Sequence, residues 1–186
     1  MASLIDSMDK VANTAGTYYA HLKTFTRKAL KPFHYKLLPP THGPIGTAIR
    51  SDALGLVQRA TYDILYLDPP YNERDYSAYY HLPETMASGR AVDLSGSCGM
   101  PRALRRKSRF TKPREVHSAL SELLDASRFR LLVFHYSDDG LLSPSELLAL
   151  LRPLGRVQKR SLGALGYRTT HGERSTAHTL YLVSHA

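Results

Sequence analysis

Four consecutive residues, Asp68-Pro69-Pro70-Tyr71, combine a carboxylate, two rigid imide units and an aromatic ring. Asp68 offers a charged acceptor. The fixed φ of Pro69 and Pro70 and their missing N–H groups hold the backbone stiff and leave the Pro69 carbonyl to accept a hydrogen bond. Tyr71 adds a flat face. Two acceptors beside a stacking ring match an exocyclic amino group on a planar base. Without its surroundings, the same tetrapeptide also fits a strand-ending turn with an Asp cap.

The elements around it decide how it is presented. Ile64-Leu65-Tyr66-Leu67 is a compact apolar run ended abruptly by Asp68. Such a run suits a strand buried on both faces, as in a parallel sheet, and ligands bind at the carboxyl ends of strands in open α/β sheets. Arg130-Leu131-Leu132-Val133-Phe134 reads as a second buried strand ending in His135-Tyr136-Ser137, with a turn at Asp138-Asp139-Gly140. Ser143-Pro144-Ser145-Glu146 carries an N-cap, a proline at the first helical position and a capping-box glutamate, so a helix is predicted from there to Leu151. Residues 114–126 predict another helix, and 157–162 and 178–183 the last two strands. Upstream, apolar spacing predicts helix over residues 4–30, interrupted at 13–17. A proline-punctuated loop follows over 32–44, then a short strand at 46–50 and a short helix at 52–59. Residues 76–88 read as helix with a disturbance at Pro83, and 95–112 as a basic loop. Alternating strands and helices predict an α/β fold with a largely parallel sheet. No internal repeat or low-complexity segment interrupts the chain.

Composition sets the class of partner. Lys and Arg number 25 and Asp and Glu 16, a formal balance of 25 − 16 = +9, which favours a polyanion such as nucleic acid. Hydrophobic residues make up 42% of the 186-residue chain, enough for a packed core. No run approaches the ~20 apolar residues that cross a bilayer, and the first residues lack a signal-peptide pattern. A lone cysteine, Cys98, allows no internal disulfide. The expectation is a soluble, cytoplasmic protein without a membrane partner. Nine histidines and one cysteine show no zinc spacing, so no structural metal is expected.

The segment from Asp63 to Asn72 resembles motif IV of the amino-methyltransferases. Its continuation, Glu73-Arg74-Asp75-Tyr76-Ser77-Ala78-Tyr79-Tyr80-His81-Leu82, is similar to the D12 class of N6-adenine-specific DNA methyltransferases. Asp9-Lys10-Val11-Ala12-Asn13-Thr14-Ala15-Gly16-Thr17-Tyr18, Lys107-Ser108-Arg109-Phe110 and the stretch from Tyr136 to Ser143 also look like family segments, so the resemblance covers most of the chain in patches. It implies a Rossmann-like S-adenosylmethionine-dependent sheet and transfer of a methyl group to the adenine amino nitrogen. Asp68 and the Pro69 carbonyl would engage that amino group, with Pro70 stiffening the loop and Tyr71 stacking on the flipped base. The nitrogen's lone pair is delocalised into the ring, and accepting both of its N–H bonds would make it more nucleophilic. Related enzymes use similar tetrapeptides on cytosine or RNA amino groups, which stay as alternatives.

The family's Phe-x-Gly-x-Gly cofactor loop does not occur here. Gly163-Ala164-Leu165-Gly166 lies too late in the chain. The expectation is a single, partial methyltransferase domain over 1–186: residues 1–45 as a helical and loop lead-in, and 46–186 as the catalytic core, incomplete in its N-terminal half. A truncated frame, a remnant that keeps DNA binding, or a second chain supplying the cofactor half would each account for it. The missing strand would lie beside Ile64 to Leu67 and leave an exposed edge. Asp52 is a candidate cofactor contact, with a helix N-cap as the competing role, and Asp68 also faces the cofactor. Asn72, Arg74 and Tyr76 are candidates to hold the base or flanking phosphates. Arg105, Arg106, Lys107 and Arg109, within a basic stretch, are candidate phosphate contacts.

Overall fold

The computed structural model describes residues 1–20, 22–102, 107–169 and 172–185, and for 164–169 and 172–175 the backbone alone. Its contacts group into two compact units, Met1–Ala48 with Asp75–Lys107, and Ile49–Arg74 with Ser108–Ala186. These are drawn differently from the 1–45 and 46–186 division that the sequence suggests.

In the first unit the helix expected over 4–30 is only α1, Ala2–Asp9. Side-chain hydrogen bonding explains the stop. Asn13 accepts from the Thr26 amide at 2.9 Å and donates to the Thr24 carbonyl at 3.3 Å, a local alternative to helical bonding. Gly16 adopts φ +90, which a helix does not allow. The strand expected at 46–50 is absent, and Ile45 and Ile49 are exposed; no partner strand is there to pair with them. Residues 76–88 form two helices, α3 (Tyr76–Tyr79) and α4 (His81–Ser88). Pro83 falls in the first turn of α4, where a missing N–H costs nothing. The basic loop contains a short antiparallel pair, β2 (Leu94–Ser95) and β3 (Met100–Pro101).

The second unit holds the main sheet. Its strands are β1 (Thr61–Leu67), β4 (Arg128–Ser137), β5 (Arg156–Thr169) and β6 (Gly172–Ser184), in the order β1-β4-β6-β5. Only β1 and β4 are parallel; β6 runs antiparallel to both β4 and β5. The largely parallel sheet expected from sequence is therefore a mixed one. The reason is the connection: two residues separate β5 from β6, and a parallel crossover needs a dozen or more.

Helices α2 (Ala53–Val57), α5 (Val116–Ala126) and α6 (Pro144–Leu151) contribute to one core with the sheet. Leu132, Phe134 and Val183 of the sheet cluster with Leu120, Leu124 and Leu151 of the helices. Each such side chain stabilises the fold by roughly 1.5–3 kcal/mol relative to exposure. The α6 capping box is formed: the Ser143 hydroxyl accepts from the Glu146 amide, and the Glu146 carboxylate accepts from the Ser143 amide at 2.8 Å.

β1 corrects the expectation of a strand buried on both faces. Leu65 is buried, while Ile64 and Tyr66 on the opposite face are 64% and 55% exposed. β1 is the edge of the sheet, paired with β4 alone among the described residues.

Candidate active site

The parallel register runs from Thr61 opposite Arg128 to Leu67 opposite Phe134. One step further along, Asp68 comes level with His135. The pleat then places His135 on the same face as Tyr66, and the two rings lie 6.5 Å apart. Asp68 emerges at the carboxyl end of the strand pair, half exposed, with Oδ1 3.1 Å from His135 Nδ1.

Two contacts shape the segment after Asp68. The Leu141 amide donates to the Tyr71 carbonyl at 2.8 Å, tying the segment to the turn that follows β4. Gly140 stands beside that bond, and a Cβ there would strike the buried Tyr136 ring. The Asn72 side chain accepts from the Arg74 amide at 3.1 Å, an Asx turn. Asp75 then caps α3 through the Ser77 amide at 2.9 Å.

Tyr71 is half-buried. Its ring meets Tyr136 edge-on at 6.2 Å and His178 edge-on at 5.5 Å. His178 Nδ1 lies 3.0 Å from His135 Nε2. The structure thus gathers Asp68, Tyr71, His135 and His178 at one end of the sheet. The two histidines were not singled out from sequence. They stand 43 positions apart, and only the antiparallel β4–β6 register brings them together. A histidine directly after the apolar run of β4 was the one available signal.

The other candidates are placed differently. Asp52 is the N-cap of α2; its Oδ1 accepts from the Leu54 and Gly55 amides at 3.1 and 3.4 Å. Asn72 and Arg74 lie in the segment that follows Asp68. Tyr76, the first residue of α3, and Lys107 belong to the other compact unit. Arg105 and Arg106 lie outside the described residues. Arg109 is held by α5: its guanidinium donates to both Glu122 carboxylate oxygens at 2.7 and 2.9 Å. Among the described residues no group of three or more His, Cys, Asp or Glu is placed to hold a metal ion, and no helix is long and apolar enough to cross a membrane.

The Arg109 fork has a pH signature. The hydrogen bond from Arg109 holds the Glu122 carboxyl below its usual range, and the pair's opposite charges act in the same direction. A depressed carboxylate contributes stability above its unfolded pKa and loses it as pH falls through the folded one. Both groups are exposed, so the contribution is small. Glu122→Gln should therefore melt slightly below the parent at pH 7 and together with it once the solution is acid enough to protonate Glu122. Parallel thermal melts across that range check this; a difference that persists or grows in acid would contradict it.

Residues 1–133 match the family described as D12 class N6 adenine-specific DNA methyltransferase. The chain is 31% identical to the type II methyltransferase M.FokI of Planomicrobium okeanokoites, over 90% of this chain and 26% of that protein. It is 33% identical to the type II methyltransferase M.NlaIII of Neisseria lactamica, over 84% of this chain and 46% of that protein. It is 34% identical to the type II methyltransferase M.CviAII of Paramecium bursaria Chlorella virus 1, over 85% and 47% respectively. The chain thus spans between about a quarter and about half of the length of these relatives. No solved structure matches it.

Proposed function

The chain belongs to the D12 class N6 adenine-specific DNA methyltransferases, and from that premise we propose that it carries the amino-group half of an active site methylating adenine N6 in DNA. One observation carries the reading. Asp68 stands half exposed at the carboxyl end of β1, and the segment after it is tied through Tyr71 to the turn that follows β4.

Asp68 and the Pro69 carbonyl accept the two N–H bonds of the amino group, and Tyr71 lies along the face of the flipped base. Stacking there offsets part of the few kcal/mol that extrusion from the duplex costs. Fixing the acceptors before the base arrives removes the cost of reorganising them during transfer. Asn72 holds the loop, Arg74 and Tyr76 hold the base or its flanking phosphates, and Arg105, Arg106 and Lys107 contact phosphates, as Arg109 does on exchanging Glu122 for a phosphate. The cofactor is S-adenosylmethionine, which supplies an electrophilic methyl group. Of this chain's residues, Asp52 fits it in part: both capping amides use Oδ1, which leaves Oδ2 to accept a hydroxyl or amino hydrogen.

Offering labelled S-adenosylmethionine with matched DNA and RNA oligonucleotides tests the reading. Label should appear as N6-methyladenine in DNA. Label in cytosine or in RNA alone, or none with any acceptor, would overturn it. A second reading, in which another chain supplies the cofactor-binding half, draws on the outer edge of β1, which pairs with β4 alone among the described residues, so that a further strand would find open backbone groups.

A further inference from the structure

We infer that His135 and His178 form a proton-accepting relay behind Asp68, a reading that rests on the amino-group methylation proposed above. The three side chains are in series. Asp68 Oδ1 lies 3.1 Å from His135 Nδ1, and His135 Nε2 lies 3.0 Å from His178 Nδ1. The imidazole rings are 5.0 Å apart, tilted by 38°, and the second meets the edge of Tyr71.

Two details argue against mere packing. His135 Nδ1 is buried and has no aligned hydrogen-bond partner among the described residues, although the Asp68 oxygen is near; the approach is close but bent. A buried ring nitrogen left unsatisfied is costly, and once Asp68 carries a proton, a small turn of its half-exposed side chain lets the O–H donate to Nδ1. The His135–His178 contact also constrains the protons. One nitrogen must donate and the other accept, so a proton arriving at one end of the pair changes the tautomer at the other.

The chemistry needs such an acceptor. When the adenine nitrogen forms its bond to the methyl carbon, the bond from that carbon to the sulfonium sulfur breaks and its electrons return to sulfur. The nitrogen is left with two hydrogens and a positive charge. One N–H bond must then break, its pair staying on nitrogen. The proton passes to the Asp68 carboxylate and on to His135 Nδ1. The Nε2 hydrogen of His135 moves to His178 Nδ1, and His178 releases a proton to solvent. A carboxylate alone holds a proton weakly near neutral pH, whereas an imidazole holds it more firmly. Asp68 touches the substrate; the histidines act through it as positioning residues.

Other charged and titratable groups lie nearby. From β1 and its continuation come Asp68 and Tyr66, and from the following segment Tyr71. Beyond β4, Asp138 accepts from the Thr179 hydroxyl at 2.8 Å. Asp139 accepts from the Ser137 and Thr176 hydroxyls at 2.5 and 3.4 Å.

Nitrogen-15 spectra of the imidazole rings, recorded on the full chain through a pH titration, test the relay without any turnover. The signals of the two rings should change together, and Asp68→Asn should alter the spectra of both. Rings that change independently, or a pair indifferent to Asp68→Asn, would overturn the relay. Where adenine methylation is measured, His135→Asn and His135→Gln should both lower the rate roughly tenfold and remove the acid limb of its pH profile. Gln can keep the bond to Asp68 but cannot carry a proton, so a parental rate and profile in His135→Gln would also overturn it. A wild-type protein that methylates no adenine sinks the proposed function instead, and the ring titrations still decide the coupling.

Discussion

Asp68→Ala should reduce adenine methylation by the active assembly by about 10²–10³-fold, equivalent to roughly 2.7–4 kcal/mol of lost transition-state stabilisation. The carboxylate already stands at the carboxyl end of β1, so its effect falls on the transferring state, where the nitrogen gains positive charge. The loss should appear in kcat more than in KM. Stability should hardly change, because Asp68 is half exposed and its close partner is His135 at 3.1 Å. DNA affinity should be kept as well, since basic side chains on phosphates dominate it. Measured together, an unchanged melt, unchanged salt-dependent DNA binding and a collapsed rate would place the defect at the amino group. A rate within a few-fold of the parent would remove Asp68 from the chemistry.

The second large effect is structural. Phe134→Ala should destabilise the protein by about 3–5 kcal/mol. Phe134 is 1% exposed, stacks on Tyr136 at 5.8 Å and meets Tyr181 edge-on at 6.3 Å. Strand backbones hold both partners, so the space left behind cannot collapse cheaply. For a chain of this size, the melting temperature should drop by roughly 6–20 °C. Ile64→Ala is the matched control. Ile64 lies on the adjacent strand but is 64% exposed, and its loss should stay within about 0.5 kcal/mol. Equal shifts from the two variants in denaturant or thermal unfolding would contradict the one-sided burial of the sheet. The first prediction concerns the uncovered end of the sheet and the second its covered face, which is why activity and stability should separate.

Features set by neighbours in the chain were readable from sequence. Ser143, Pro144 and Glu146 carry their cap in four residues, so the start of α6 needed no tertiary knowledge. The apolar run before Asp68 marked a strand and its carboxyl end, and the stiff Pro69-Pro70 unit marked what stands there. The helix predicted over 114–126 is α5, and the Asp52 carboxylate fulfils the capping role that competed with cofactor contact.

Tertiary structure decided what depends on distant partners. Strand direction within the sheet and the absence of a strand at 46–50 follow from which backbone found a partner, and the exposure of Ile64 and Tyr66 from the helices packing on the opposite face. The end of α1 depended on Asn13 reaching Thr24 and Thr26. Arg109, read as a phosphate contact, is engaged by Glu122 from the next helix. His135 and His178 became neighbours through the β4–β6 register alone. The physical reason is range. Propensity, capping and proline stiffness act within one turn or one peptide unit, so the residues themselves encode them. Pairing, burial and charge engagement are set by residues far apart in sequence, which meet only when the chain has folded.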